Sequence, residues 1–345
     1  MRLVLGCWDI AGAGGSQSYM LTVAEQLQGL GHDVTVHTAL KGGAAEVGRR
    51  HGIDVARDET DLPRDCDGVV AQDAVTAAEL ADRYRAAARI FVVHSDVYSI
   101  DVPQVSGVAS VLVVMSDRVE RHARALGQQH AVVRLRQPVD TRRFAPMGAV
   151  HDTLRTVLVL TNSLVGLRLE LLRRACDELG VECRVVGGER ATDRAEHAIA
   201  EADAVVGKGR VILEAMACGR AAYVHDYAGT DGWVTPERYP GMEADAFGGL
   251  SGPRGTIDAD RFRRDLLAYR PEMGLANREL AMAHHGARRH AQQLVELLRT
   301  LAPEPPPPAD TLRETARLMR QSWPLEWEVH ALRRRVEELQ AQRPR

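Results

Sequence analysis

From its first residues the chain alternates short β-rich apolar runs with helical patterns, the arrangement of βα units that feed a parallel sheet. Arg2 to Cys7 reads as a strand, Gly12 to Gly15 as a glycine-rich turn, Ser16 to Leu30 as an amphipathic helix and Val34 to Thr38 as the next strand. Further strands are expected at Gly68 to Ala71, Arg89 to His94, Val111 to Met115 and Ala131 to Leu135. Pro138, Pro146 and Gly148 interrupt this pattern, and it restarts at Thr156 to Thr161. Strands then follow at Cys183 to Val186, Ala204 to Val206 and Ala221 to Val224, with a helix over Arg210 to Cys218 and a long one from about Leu275 to Leu301.

A chain of 345 residues is longer than one hydrophobic core usually serves. The expected division is therefore a Rossmann-like domain over 1–148, a second over 149–302, and a tail over 303–345. The tail opens on Pro303-Glu-Pro-Pro-Pro-Pro308, which reads as an extended spacer appended to the second domain. Beyond it Leu325, Val329, Leu332, Val336 and Leu339 recur in alternating steps of four and three, a heptad seam. Such a seam needs a partner surface, either on its own subunit or on a second copy in a homo-oligomer.

A formal charge of -3 advertises neither nucleic acid nor a membrane surface. The five cysteines are scattered and form no C-x-x-C pair, which suits buried thiols in a cytoplasmic protein. Met1 leads directly into a strand pattern, so no export signal is expected, and no apolar run reaches the roughly 18 residues of a transmembrane segment.

Two stretches have the form of phosphate sites. Gly12-Ala-Gly-Gly-Ser16 lies between a strand and a helix, where backbone N–H groups and the helix dipole hold anions. A tight turn needing positive φ would use the same glycines. A nicotinamide fingerprint would require glycine where Gln17 stands and an acidic residue where His37 and Thr38 stand, so a dehydrogenase is disfavoured. The second stretch, Asp203 to Gly219, runs strand, loop, helix, with Lys208 between Gly207 and Gly209. Lysine occurs elsewhere only at Lys41, so keeping one here suggests a need for a compact cation. Glu214 sits among Ile212, Leu213, Ala215 and Met216, and a carboxylate in such company requires a partner. Two ribose hydroxyls or an arginine would each serve.

These stretches together resemble the retaining GT-B glycosyltransferases grouped as family four, over roughly residues 1 to 300. Gly14-Gly15 with the following helix and Gly31-His-Asp-Val-Thr-Val36 is similar to the family's opening. Gln137-Pro-Val-Asp-Thr-Arg-Arg-Phe144 is similar to its interdomain segment, and Leu213-Glu-Ala-Met-Ala-Cys-Gly-Arg220 to its glutamate-helix signature. The resemblance implies an α/β GT-B fold, with two Rossmann-like domains facing across a cleft and a C-terminal helical extension. It implies an acceptor on the N-terminal side and a nucleotide-diphosphate sugar on the C-terminal side. It assigns Gly14 and Gly15 to the donor diphosphate, His94 to the donor sugar as the catalytic-side histidine, and Glu214 to ribose.

The sequence departs from the family in three places. Val206 stands where the family carries a first glutamate, and Asn162 and Leu167 stand where it carries the arginine and lysine that clamp the diphosphate. Arg168 and Lys208 are the available substitutes. Transfer without metal or other cofactor is expected, with retention on the family's authority. A catalytically silent partner subunit and a sugar-nucleotide epimerase are the alternatives. The loop around Tyr227 to Trp233 is expected to line the cleft.

Overall fold

The structure, a computed structural model, describes residues 1–12, 14–126, 130–188, 194–252 and 258–341. The chain divides into two compact units: Met1–Pro138 with Ala287–Arg333, and Val139–Gly286 with Arg334–Arg345.

In the first unit β1 (Arg2–Cys7), α1 (Gly15–Gly29), β2 (Asp33–Thr38), α2 (Ala44–His51) and β3 (Asp54–Ala56) are followed by β4 (Gly68–Ala71), α3 (Ala74–Arg83) and β5 (Ala88–Val93). Then come β6 (Val111–Val114), α4 (Asp117–Ala125) and β7 (Ala131–Arg134). The strands form a seven-stranded sheet in the order β3-β2-β1-β4-β5-β6-β7, paired in parallel throughout. Central strands such as β4, β5 and β6 are buried along their whole length, as expected of a sheet covered on both faces.

The second unit contains β8 (Thr156–Leu160), α5 (Gly166–Glu178), β9 (Glu182–Val186), α6 (Ala195–Ala200), β10 (Ala204–Gly207) and α7 (Arg210–Ala217). It continues with β11 (Ala221–Asp226), β12 (Gly229–Trp233), α8 (Tyr239–Ala244), α9 (Ala259–Leu267) and α10 (Glu272–His284). Its five strands are ordered β12-β11-β10-β8-β9. Only β12 is antiparallel, folding back on β11 across a bulge at Val224 and His225. The segment Tyr227 to Trp233, expected as a loop, is thus mostly a strand, and Trp233 is buried with its indole N–H on the Asp265 carbonyl.

The long C-terminal helix of the sequence reading is two helices, α10 and α11 (Ala287–Thr300), broken at His285 and Gly286. His285 is buried, with Nε2 2.9 Å from the Tyr239 hydroxyl, and its carbonyl accepts from the Val139 N–H at 2.8 Å. Val139 and Gly286, the residues at which the second unit begins and its globular part ends, form a bridge. The unit therefore starts about ten residues earlier than the proline and glycine pattern placed it. From Ala287 the chain belongs to the first unit, where Ala291, Leu294, Val295 and Leu298 join the core beside α1.

The tail is not isolated by its prolines. Arg89 is almost wholly buried, and its guanidinium donates to the carbonyls of Ala87 (2.9 Å), Val108 (3.2 Å), Gly107 (3.2 Å) and Glu304. Arg85 donates to the carbonyls of Pro306 and Pro307. Prolines have no N–H to offer, but their carbonyls accept freely; Arg85 uses two of them, and Arg89 the neighbouring Glu304 carbonyl, to fix the strap. It leads into α12 (Ala309–Ala341), whose Leu312, Ala316 and Met319 are buried in one core cluster with Phe91, Val93 and Ala78. Up to Arg333 the tail is thus part of the first unit rather than an appendage of the second.

Candidate functional site

In the second unit the crossover from β8 leads to β9 on one side, whereas β10 lies on the other side of β8. In open α/β sheets ligands bind outside the carboxyl ends of the strands at such a reversal. Here those ends carry the loops into α5 and α7, and Asp226 at the end of β11 ties the two together. Its carboxylate is 1% exposed. It accepts from the hydroxyls of Thr161 (3.1 Å) and Ser163 (2.9 Å) before α5, and lies 3.3 Å from the Lys208 ammonium before α7. Lys208 also rests 4.0 Å from the centre of the Tyr227 ring and keeps 34% of its side chain exposed. A buried anion therefore holds a half-exposed cation in place.

The neighbouring glycines are required by the backbone. Gly209, the N-cap of α7, has φ +56° and ψ −125°, which side chains other than hydrogen resist. A Cβ on Gly207 would press on the Leu160 carbonyl at 2.9 Å. Helices α5 and α7 begin with no side-chain cap and no acidic residue in the first turn, as does α1, whereas Asp73, Ser116 and Asp258 cap α3, α4 and α9. Among the described residues, then, no side chain occupies the N–H groups and positive ends of α1, α5 and α7, where water or an anion can bind.

Glu214 is buried on α7, and Arg210 one turn earlier donates Nε–H to it at 2.9 Å. Burial pushes the carboxyl upward, and the guanidinium pulls it back. The salt-bridge reading of Glu214 is thus realised, with only Oε1 engaged in that contact. Arg168 lies in the first turn of α5; its Nη1 is buried without a hydrogen-bond partner among the described residues. Its charge, after burial, depresses the basicity of His225. Asn162 is exposed and its Oδ1 accepts from the Gly188 N–H at 2.9 Å, so it shapes the loop. Val206 is wholly buried in the core cluster that includes Leu172 and Phe262.

The corresponding reversal in the first unit lies between β1 and β4. Gly14 is the N-cap of α1 with φ −147°, an extended conformation open to any residue, and a Cβ on Gly15 would meet nothing within 4 Å. Neither glycine is demanded by positive φ. Ala13 of this turn lies outside the described residues. Gln72, at the end of β4, connects the turn to His94: its Nε2 donates to the Ser16 carbonyl (3.1 Å), leaving Oε1 to accept from His94 Nε2 (2.8 Å). Tyr19 of α1 meets the His94 ring edge-on at 4.8 Å, and its hydroxyl is held by His290 of α11 at 2.8 Å. The structure thus gathers Gly14, Gly15 and His94 in one unit and Lys208, Gly207, Gly209, Asn162, Arg168 and Glu214 in the other. Sequence reasoning missed Gln72 and Asp226, each a polar residue where a buried strand ends.

Comparison of the whole chain with solved structures finds the same architecture. HepE from Anabaena, in complex with UDP and glucose, matches with a TM-score of 0.60 at 13% identity, over 87% of this chain and 100% of that one. The chain has the GT-B fold. The pneumococcal O-GlcNAc transferase GtfA, in complex with UDP and GlcNAc, matches with a TM-score of 0.57 at 9% identity, over 87% and 98% of the two chains. Sucrose-phosphate synthase from Thermosynechococcus elongatus gives 0.52 at 15%, over 86% and 98%. No protein-family model and no curated protein sequence matches the chain. Among the described residues no helix is long and apolar enough to cross a membrane.

Proposed function

We propose that this GT-B protein is a glycosyltransferase that takes its sugar from a nucleoside-diphosphate sugar held by the second unit. The observation that carries this reading is Lys208, an ammonium fixed by buried Asp226 at the sheet's reversal and flanked by the uncapped α5 and α7. A diphosphate there would meet Lys208, the orphaned Arg168 Nη1 and free backbone N–H groups, which supply charge where the leaving group develops it. Gly207 and Gly209 would allow the phosphates to approach the backbone, Asn162 would hold the loop beside them, and the free oxygen of Glu214 would accept from ribose. Gly14 and Gly15 are proposed for the donor diphosphate and His94, held by Gln72, for the transferred sugar. HepE, bound to UDP and to UDP-glucose in other complexes, supports the donor class. Retention of configuration, independence from metal and the identity of the acceptor belong to the same proposal.

Calorimetric titration with UDP, ADP, GDP, dTDP and their glucose conjugates tests it, followed by mass spectrometry of products from the donor that binds. Binding of at least one nucleoside diphosphate, weakened at least about tenfold by Lys208→Ala, is the expected result. A second reading, a catalytically silent partner subunit, is favoured by the buried Val206 and by Leu167 at positions where the resembling family has charge. Absence of binding to every nucleotide, with another transferase co-purifying, would establish it instead.

A further inference from the structure

Helix α12 has two apolar faces, and the first unit uses one of them. Leu312, Ala316, Met319 and Trp323 pack inward, joined by Glu326, whose carboxylate accepts from the Ser99 N–H (3.0 Å) and hydroxyl. At about 100° per residue a second stripe, Leu318, Leu325, Val329, Leu332 and Val336, lies roughly 130° around the helix from the first. All five side chains are exposed, Leu325 by 64% and Leu332 by 59%. The spacing is heptad, with Val329 and Val336 at position a and Leu325 and Leu332 at position d.

We propose that this stripe is a dimer interface for a second copy of the same chain, joined as a parallel two-stranded coiled coil. β-branched residues at a with leucine at d favour two parallel strands. The flanking charges agree. Glu328 falls at g and Arg333 at e, and in a parallel pair g of one helix faces the e position five residues later on the other. Glu328 of each copy therefore meets Arg333 of the other, giving two symmetric ion pairs. Neither residue makes an ion pair within its own chain among the described residues, and both are exposed. An antiparallel pair would set e against e and draw on Glu326, which is already committed to Ser99. The seam is short for an isolated helix, but its N-terminal half is already anchored on the first unit, so nucleation of the helix is not charged against association.

The test is light scattering of the full chain over a concentration series. The expected result is a dimer that falls to monomer when Val329 and Leu332 are both replaced by Asp, with helical content retained up to Trp323. Glu328→Arg or Arg333→Glu alone should weaken dimerisation about tenfold or more, and the two together should restore it. Leu332→Cys should cross-link the dimer through its own position under oxidation, with the wild-type chain as control. A wild type that stays monomeric, or a dimer indifferent to the Asp pair, overturns the interface. Single reversals without effect, or an intact Leu332→Cys dimer that does not cross-link, overturn the parallel register.

Discussion

Lys208 stands 3.3 Å from Asp226, with the cation half-exposed and the carboxylate fully buried. The pair is asymmetric in use: Asp226 is saturated by Thr161, Ser163 and Lys208, whereas Lys208 has donors to spare. Replacing Lys208 by Ala should remove a charge-assisted contact of about 1.5–3 kcal/mol, weakening nucleoside-diphosphate binding roughly 10- to 150-fold while the fold persists. Lys208→Arg should recover only part, because a planar fork cannot reproduce an ammonium seated over Tyr227 and against Asp226. Equal affinities for all three proteins, by calorimetry, would remove Lys208 from the site.

Gln72 fixes the His94 tautomer, because its amide nitrogen is spent on the Ser16 carbonyl and its oxygen therefore faces His94 Nε2. In the wild type the imidazole should carry its proton on Nε2. Nitrogen-15 correlation spectra of the labelled ring should report that single tautomer, and Gln72→Ala should give a mixture. If the variant retains the wild-type pattern, another neighbour orients the ring.

Much of the fold was legible because strands covered on both faces must be apolar throughout, so β1, β4, β5, β6 and β10 stand out as continuous runs. The three-residue edge strand β3 gives no such run, and β12, with Gly229, Thr230, Asp231 and Gly232, reads as a turn because its stability comes from pairing with β11. The path of the tail was hidden for a related reason. The Pro306 and Pro307 carbonyls are fixed by Arg85 and the Glu304 carbonyl by Arg89, more than 200 residues earlier, and no local pattern records that. In the candidate site Lys208 was visible by its rarity, but its counterion is 18 residues away on another strand. Gln72 and Asp226 share one signal that was available: a polar residue closing an apolar strand, the same signal that singled out His94.

Deleting everything after Leu301 should damage the first unit. The loss of buried Leu312, Ala316 and Met319 and of an acceptor for Arg89 corresponds to at least about 4 kcal/mol, or about 10 °C or more in thermal midpoint. Truncation after Trp323, which keeps those contacts, should cost far less. Calorimetric melting of the two truncations decides the matter: equal midpoints would mean that the strap and the first half of α12 add nothing.

His225 supplies a pH-dependent contribution with a defined sign. It is wholly buried, its Nδ1 lies 2.6 Å from the Thr230 hydroxyl, and burial, aided by the Arg168 charge, pushes its pKa down to about 4. The unfolded chain would titrate this histidine at about 6.5. The unfolded state therefore takes the proton first, so the stabilisation is fully present above about pH 6.5, is lost as pH falls, and is exhausted below about pH 4. A depression of this size corresponds to about 3 kcal/mol across that window. Asp73, buried, and Asp101, half-buried, have carboxyls pushed up to about 6 by desolvation and act in the opposite direction between about pH 4 and 6. The quantity to measure is consequently the difference between wild type and His225→Asn, in which those carboxyls cancel. Urea unfolding at half-unit steps from pH 7 to pH 4 should show the wild type losing stability more steeply than the variant. Parallel curves would mean that His225 binds its proton equally well in the folded and unfolded chains.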